Sequence, residues 1–278
     1  MKVRGRQAVK VSTSGRAPEG HDGWDEYAPF YDWENARTLG RRDVPFWRNL
    51  ALQAGGPVLE LGCGTGRVSL PLGRAGVRLV GIDRSEQMLA RARTRTRRAR
   101  LTARIQLIRG DIRYTPFAGR TFSMVMAPYG ILQSLLRERD LKATLQEVHR
   151  VLEPGGTFGI ELVADLPSWK EYKKRLSLKG WRARQGGTHV TLVETVRQDH
   201  ARHLTTFNQE FTERRGQTRR VHRFALTFRT LSVPQMVRRL EKAGFEITAL
   251  LGDYRGRVWD PRADVWVILA RTPSAIRG

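Results

Sequence analysis

The stretch VLELGCGTG at residues 58–66 constrains this chain more than any other. An apolar run broken only by Glu60 leads into Gly62, Gly64 and Gly66 at alternate positions. A short buried strand that ends in a glycine loop and opens a helix places a ligand at the carboxyl edge of an open α/β sheet. Spacing then separates the ligand classes. A P-loop counted from Gly62 needs Gly, Lys and Ser or Thr where Arg67, Val68 and Ser69 stand, so that reading fails. A dinucleotide fingerprint needs glycine at Arg67, or at Ser69 if counted from Gly64, and it fails as well. What remains is acidic-x-G-x-G-x-G, with Glu60 inside the strand end.

Apolar runs and helical segments alternate around this loop. Strands are expected over residues 57–61, 77–82, 104–108, 122–127 and 157–163, and helices over 66–75, 85–100 and from Asp140 to the stop at Pro154-Gly155-Gly156. In the last of these, Leu141, Leu145, Val148, Val151 and Leu152 trace one buried face. Such alternation implies βαβ units and a parallel sheet covered on both sides. Upstream, residues 24–56 read as a short helix followed by a longer one, the latter with Val44, Trp47, Leu50 and Leu52 on its apolar face. After Pro167 the pattern changes to strand-like alternation over 189–198, 204–213 and 220–231, an antiparallel meander with short polar turns. A helix (VPQMVRRLEKAGF) and two strands (EITALLGDY, DVWVILAR) close the chain.

The single cysteine, Cys63, excludes an internal disulfide framework and any multi-cysteine metal site. No apolar run reaches the ~18 residues of a membrane span, and the first 23 residues lack the apolar stretch of a signal peptide, so a cytoplasmic protein is expected. A net charge of +23 points toward anionic partners. Yet only eight of the 50 basic residues are lysine, and the arginines spread from Arg4 to Arg277. A solvated basic surface is the leading reading of this charge, including the arginine-rich segment from Met88 to Arg104, with a nucleic-acid face as the second.

VLELGCGTG resembles the first motif of class I S-adenosylmethionine-dependent methyltransferases. Further elements fall in the same order: Asp83 in VGIDRS, Asp111 and Ile112 in RGDI, Ala127 in MAPYG, and the segment EVHRVLEPGGTF. The similarity covers roughly residues 27–165. It implies a Rossmann-like fold with a seven-stranded mixed sheet, helices on both faces and an antiparallel insertion. It also implies S-adenosylmethionine as cofactor, with Asp83 on the ribose hydroxyls, Asp111 on the adenine amino group and Ile112 against the ring. Glu60, Gly62, Cys63, Gly64, Gly66, Met88 and Ala127 complete the implied cofactor set. YAPFYDW resembles the segment that folds over the cofactor in small-molecule methyltransferases, which places Tyr31 at the methionine end. The physical chemistry agrees. Glycines let backbone amides approach a ligand, and carboxylates suit a cofactor that carries a sulfonium and an ammonium and no phosphate.

The expected organisation is a flexible basic tail (1–23), a helical lid (24–56), a cofactor-binding core (57–166), a β insertion covering the substrate (167–231) and a closing helix with two strands (232–278). Methyl transfer onto nitrogen or oxygen of a small molecule is the leading function, in a monomer or homodimer. An RNA or ribosome-associated methyltransferase and a non-catalytic cofactor-binding module are the alternatives. Tyr27, Tyr129 and Gln133 are candidate acceptor contacts, and His189, His203 and His222 are candidate bases. No catalytic residue is assigned. Ala127-Pro128-Tyr129-Gly130 lacks the amide or acid of nucleic-acid amine methyltransferases, and Cys63 in the cofactor loop does not suit a cytosine C5 nucleophile.

Overall fold

The computed structural model describes residues 23–38, 40–163, 172–182 and 187–274. It opens with α1 (Trp24–Asn35) and α2 (Val44–Ala54), which are of near-equal length at 12 and 11 residues rather than short and long. Steps of three and four from Val44 reach Trp47 and Ala51, and these form the buried face of α2. Leu52, expected on that face, falls on the other side and is 49% exposed.

The core follows as β1 (Val58–Leu61), α3 (Ser69–Arg74), β2 (Leu79–Asp83), α4 (Glu86–Arg98), β3 (Ile105–Arg109) and β4 (Phe122–Ala127). A one-turn 3-10 helix (Ile131–Ser134), α5 (Glu138–Val151) and β5 (Leu152–Leu162) come next. The insertion comprises β6 (Tyr172–Arg182), β7 (Thr188–Asp199), β8 (Leu204–Arg215) and β9 (Thr218–Arg229). The chain then runs through α6 (Val233–Lys242), β10 (Glu246–Leu251) and β11 (Trp266–Arg271).

Seven strands form one sheet in the order β10-β11-β5-β4-β1-β2-β3. β11 runs antiparallel to its neighbours β5 and β10, and the remaining pairs are parallel. Strand order reverses between β1 and β4, so the loops leaving these two strands diverge and open a crevice at their carboxyl ends. Alternation along each strand supplies both faces of the core. Leu59, Leu61 and Val125 meet α5 and α6 through Leu145, Val148 and Met236, while Val58, Met124 and Met126 meet Trp47 of α2 and Leu72 of α3. Glu60 lies on the second face because it alternates with Leu59 and Leu61.

The insertion is an antiparallel sheet in the order β6-β7-β8-β9, with β8 and β9 joined through Gly216 at φ +55°. It contains one strand more than the sequence pattern suggests. Basic residues at five of the eleven positions of β6 hide its period. Val190, Leu192, Phe211 and Leu226 cover Tyr27, Phe30 and Trp33 of α1, with the rings of Phe30 and Phe211 stacked at 4.5 Å. Glu138 at the head of α5 accepts bonds from Arg239 of α6 and Arg229 of β9, tying the insertion to the core. These guanidiniums, Arg239 foremost, hold its carboxyl down at about 2.

The expected basic tail lies, apart from Gly23, outside the described residues, as do residues 167–171 and 183–186 of the expected insertion. Among the described residues no helix is long and apolar enough to cross a membrane.

Candidate cofactor site

The carboxyl ends of β1 to β4 face a cavity of about 430 Å³, roofed by Trp24 and Tyr31 of α1 and by Phe228 of β9. Gly62, Gly64 and Gly66 all have positive φ, +62°, +53° and +78°, a conformation that side chains disfavour. The loop turns back on itself there, and a Cβ at Gly62 would stand 2.5 Å from the Ile131 Cδ1 atom. Gly62→Ala therefore combines left-handed strain of roughly 1–2 kcal/mol with overpacking of about 1–3 kcal/mol. Denaturant unfolding should show a loss within the sum of these; an unchanged midpoint would mean the loop has another low-energy shape.

Asp83, ending β2, has both carboxylate oxygens engaged. The Gly64 amide donates to one at 2.8 Å and the Ser85 amide to the other at 2.8 Å. Burial raises its pKa, and these amide donors pull against that rise. Each oxygen keeps a lone pair for a further donor. Glu60 is 3% exposed, and its hydrogen-bond donor among the described residues is the Ser69 hydroxyl at the start of α3. Burial pushes its carboxyl up to about 8. Among the described residues it makes no salt bridge, although the charge of Arg67 acts to lower its pKa, and a buried carboxyl so placed suits a ligand's ammonium. Asp111 follows β3. Burial opposes its charge, but the Arg113 guanidinium at 2.7 Å outweighs this and holds the pKa below the usual carboxylate range. Met88, set by the Ser85 cap of α4, and Ile112 present apolar wall near these acids.

Helix α1 is fastened to the core at two points. Asp25 accepts the Ser85 hydroxyl at 2.5 Å and the Gln87 amide at 3.1 Å, at the start of α4. Asp32 accepts the Thr65 hydroxyl at 2.7 Å and both terminal nitrogens of Arg95 at 2.9 and 2.5 Å.

Of the residues singled out in the sequence, Tyr31, Glu60, Gly62, Cys63, Gly64, Asp83, Met88, Asp111, Ile112 and Tyr129 line this cavity. The Cys63 side chain itself turns away, against Gly81. Four others stand behind the wall. Gly66 faces Leu70, and Ala127 is buried in the core with no exposure. Tyr27 is 2% exposed and spends its hydroxyl on Glu34 at 3.1 Å. Gln133 exchanges two hydrogen bonds with the Val163 backbone, at 3.1 and 2.7 Å, and so serves as a structural tie. The three candidate histidines are also away from the cavity: His222 lies against Phe30 and pairs with Glu213 at 3.1 Å, and neither His189 nor His203 is part of the wall.

Sequence spacing missed a polar cluster next to Glu60. Asp43, fully buried, grips Arg67 with two bonds at 2.6 and 2.8 Å. Glu161 at the end of β5 accepts the Tyr129 amide at 3.0 Å and the Tyr254 hydroxyl at 2.6 Å. Burial raises the Glu161 pKa. These partners are separated by 24 to 93 residues, and no local motif announces them. Arg84, Arg109, Arg113 and Arg137 line the cavity together with Asp25, Glu26, Asp111 and Asp140, so the charge of its wall is of mixed sign.

Residues 58–156 match the family described as a methyltransferase domain. A demethylmenaquinone methyltransferase of Lactobacillus johnsonii is 33% identical over 162 residues, which is 55% of this chain and 64% of that relative. The chain thus spans less than two thirds of that curated relative's length. Among solved structures, the CcbJ methyltransferase of Streptomyces caelestis aligns at 24% identity with a TM-score of 0.71 over 90% of this chain and 97% of its own. The sugar N-methyltransferase KedS8 of Streptoalloteichus aligns at 17% identity with a TM-score of 0.70 over 98% and 100%. These two likenesses concern the fold. Over residues 58–156 the chain thus carries a stretch that matches a methyltransferase domain, set in the seven-stranded sheet described above.

Proposed function

We propose that the protein transfers a methyl group from S-adenosylmethionine to a small molecule, and that the accepting atom is nitrogen. The carrying observation is one cavity that sets the buried acid Glu60 beside the glycine loop and then Asp83 and Asp111 in succession. Glu60 would hold the ammonium, Asp83 the ribose hydroxyls and Asp111 the adenine amino group, with Met88 and Ile112 flanking the ring. Tyr31 would cover the methionine end. When bound, the cofactor supplies an electrophilic methyl group on an already activated leaving group. The chain's own part is therefore to orient the reactants and exclude water, which α1 and β9 do by roofing the cavity.

Among the described residues no histidine lines the wall. Burial above all raises the pKa of Tyr31, to about 12, and that of Tyr129. Neither tyrosine then gives up its proton near neutral pH. An amine in its free-base form needs no base to be nucleophilic, whereas an alcohol does; this favours nitrogen over oxygen. The mixed-sign wall does not support a phosphate backbone as the acceptor. Relatives named for menaquinone and sugar substrates accord with a small molecule.

Titration calorimetry with S-adenosylmethionine should show one binding site per chain; no heat and no competition would remove the cofactor assignment. Incubation with methyl-labelled cofactor and a metabolite extract should then move label into the amine fraction. Label that stays on the cofactor in every extract would reduce the protein to a binding module.

A further inference from the structure

Past the end of β3, the side chain of Arg113 joins two acids of the cavity wall. It lies across the Asp111 carboxylate, with Nε 3.0 Å from Oδ1 and 3.1 Å from Oδ2, and Nη2 2.7 Å from Oδ2. Its remaining nitrogen, Nη1, donates at 2.9 Å to Asp140 in the first turn of α5. The Arg113 backbone amide adds a bond to Asp111 Oδ1 at 3.0 Å, and Arg84 stands 3.4 Å from Oδ2. Asp111, Arg113 and Asp140 all form part of the wall. Only 17% of the Arg113 side chain is exposed.

We infer that Arg113, braced by Asp140, is the positioning residue that makes the base end of the cavity select an aminopurine over the corresponding oxopurine, acting through Asp111. The inference rests on the cofactor reading above, which sets Asp111 against the adenine amino group. An ionised carboxylate only accepts hydrogen bonds, whereas the protonated acid also donates. An amino group on the purine donates and an oxo group accepts. An Asp111 kept ionised and facing the base therefore tells them apart, and one free to turn or to take up a proton does not. The Arg113 fork supplies both conditions. Two nitrogens across one carboxylate fix its plane as well as its distance, and the adjacent positive charge favours the ionised form. Asp140 holds the far side of the guanidinium to α5, so that an acid on the loop after β3 is steadied by a helix 27 residues further along the chain. Lysine at this position would retain the charge and lose the fork.

A general role in folding would weaken the binding of any nucleoside, so the test uses two ligands that differ only at the purine. S-inosylhomocysteine carries a carbonyl oxygen and a ring N–H where S-adenosylhomocysteine carries the amino group and a bare ring nitrogen. Calorimetry on wild type should favour the adenine ligand by about tenfold or more. Arg113→Lys should lower that preference by about fivefold or more. In an Asp111→Ala background the same change should leave the remaining preference constant to within about twofold, since residues acting as one unit are not additive. An unchanged preference in Arg113→Lys, or an equal fall in both backgrounds, overturns the inference. So does a wild type that binds both ligands equally, an outcome that leaves the methyltransferase reading standing. Should Arg113→Lys fail to fold, Asp140→Asn takes its place with the same outcomes. Failure of wild type to bind either ligand would instead overturn the methyltransferase reading itself.

Discussion

Replacing Asp83 by alanine should weaken S-adenosylmethionine binding by about a hundredfold or more. Two hydrogen bonds from ribose hydroxyls to a carboxylate are worth about 1.5–3 kcal/mol each, and about 1.4 kcal/mol corresponds to a tenfold change. The substitution also leaves the Gly64 and Ser85 amides without the acceptors they now have at 2.8 Å. The glycine loop and the start of α4 then lose their common anchor. Asp83→Asn keeps one acceptor oxygen and should fall between the two. Calorimetry on samples matched for secondary structure decides the matter: an affinity within threefold of wild type in the alanine variant would take the ribose away from Asp83.

The second large effect is a proton. With its carboxyl at about 8 in the free protein, chiefly through burial, Glu60 is protonated at pH 7. Pairing with an ammonium requires the charged form, so binding should expel close to one proton per cofactor at neutral pH. Repeating the titration in buffers of different ionisation enthalpy measures this directly. Affinity should climb by up to tenfold per pH unit from about pH 6 toward 8, and Glu60→Gln should flatten the climb. The same shift acts on the stability of the free protein. Because the folded pKa lies above the unfolded value of 4.5, this group's contribution is fully present below that value and is lost as pH rises through about 8. Cofactor binding with no proton release would mean that Glu60 is already ionised, or that the ammonium lies elsewhere.

What the sequence revealed and what it withheld divide along a physical line. The βαβ half of the chain was legible because its strands and helices carry their own periods, and because Glu60, Asp83 and Asp111 each lie at or just past the end of a strand. β6 was not, since its basic residues mask alternation. Orientation was also hidden. Tyr27 and Tyr31 lie one helical turn apart on α1, yet one is sealed under the insertion sheet and the other lines the cavity. Gln133 looked like an acceptor contact until the fold brought the Val163 backbone to both ends of its amide. Arg67 shows the difference best. From the sequence it served only to reject two phosphate-binding loops, because the partner that gives it a role, Asp43, stands 24 residues upstream and meets it only in the folded protein.

The two fastenings of α1 bear on traffic through the site. Asp25 grips the start of α4 next to Asp83, and Asp32 grips Thr65 within the glycine loop. Both clasps join α1 to the segments a cofactor would touch, so exchange of spent for fresh cofactor past this helix would part them. The Asp32–Arg95 clasp is itself partly open to solvent, with side chains 28% and 35% exposed, and ions weaken such a pair far more than they weaken a buried one. The dwell time of a bound nucleoside should in this way shorten as the ionic strength outside the protein rises.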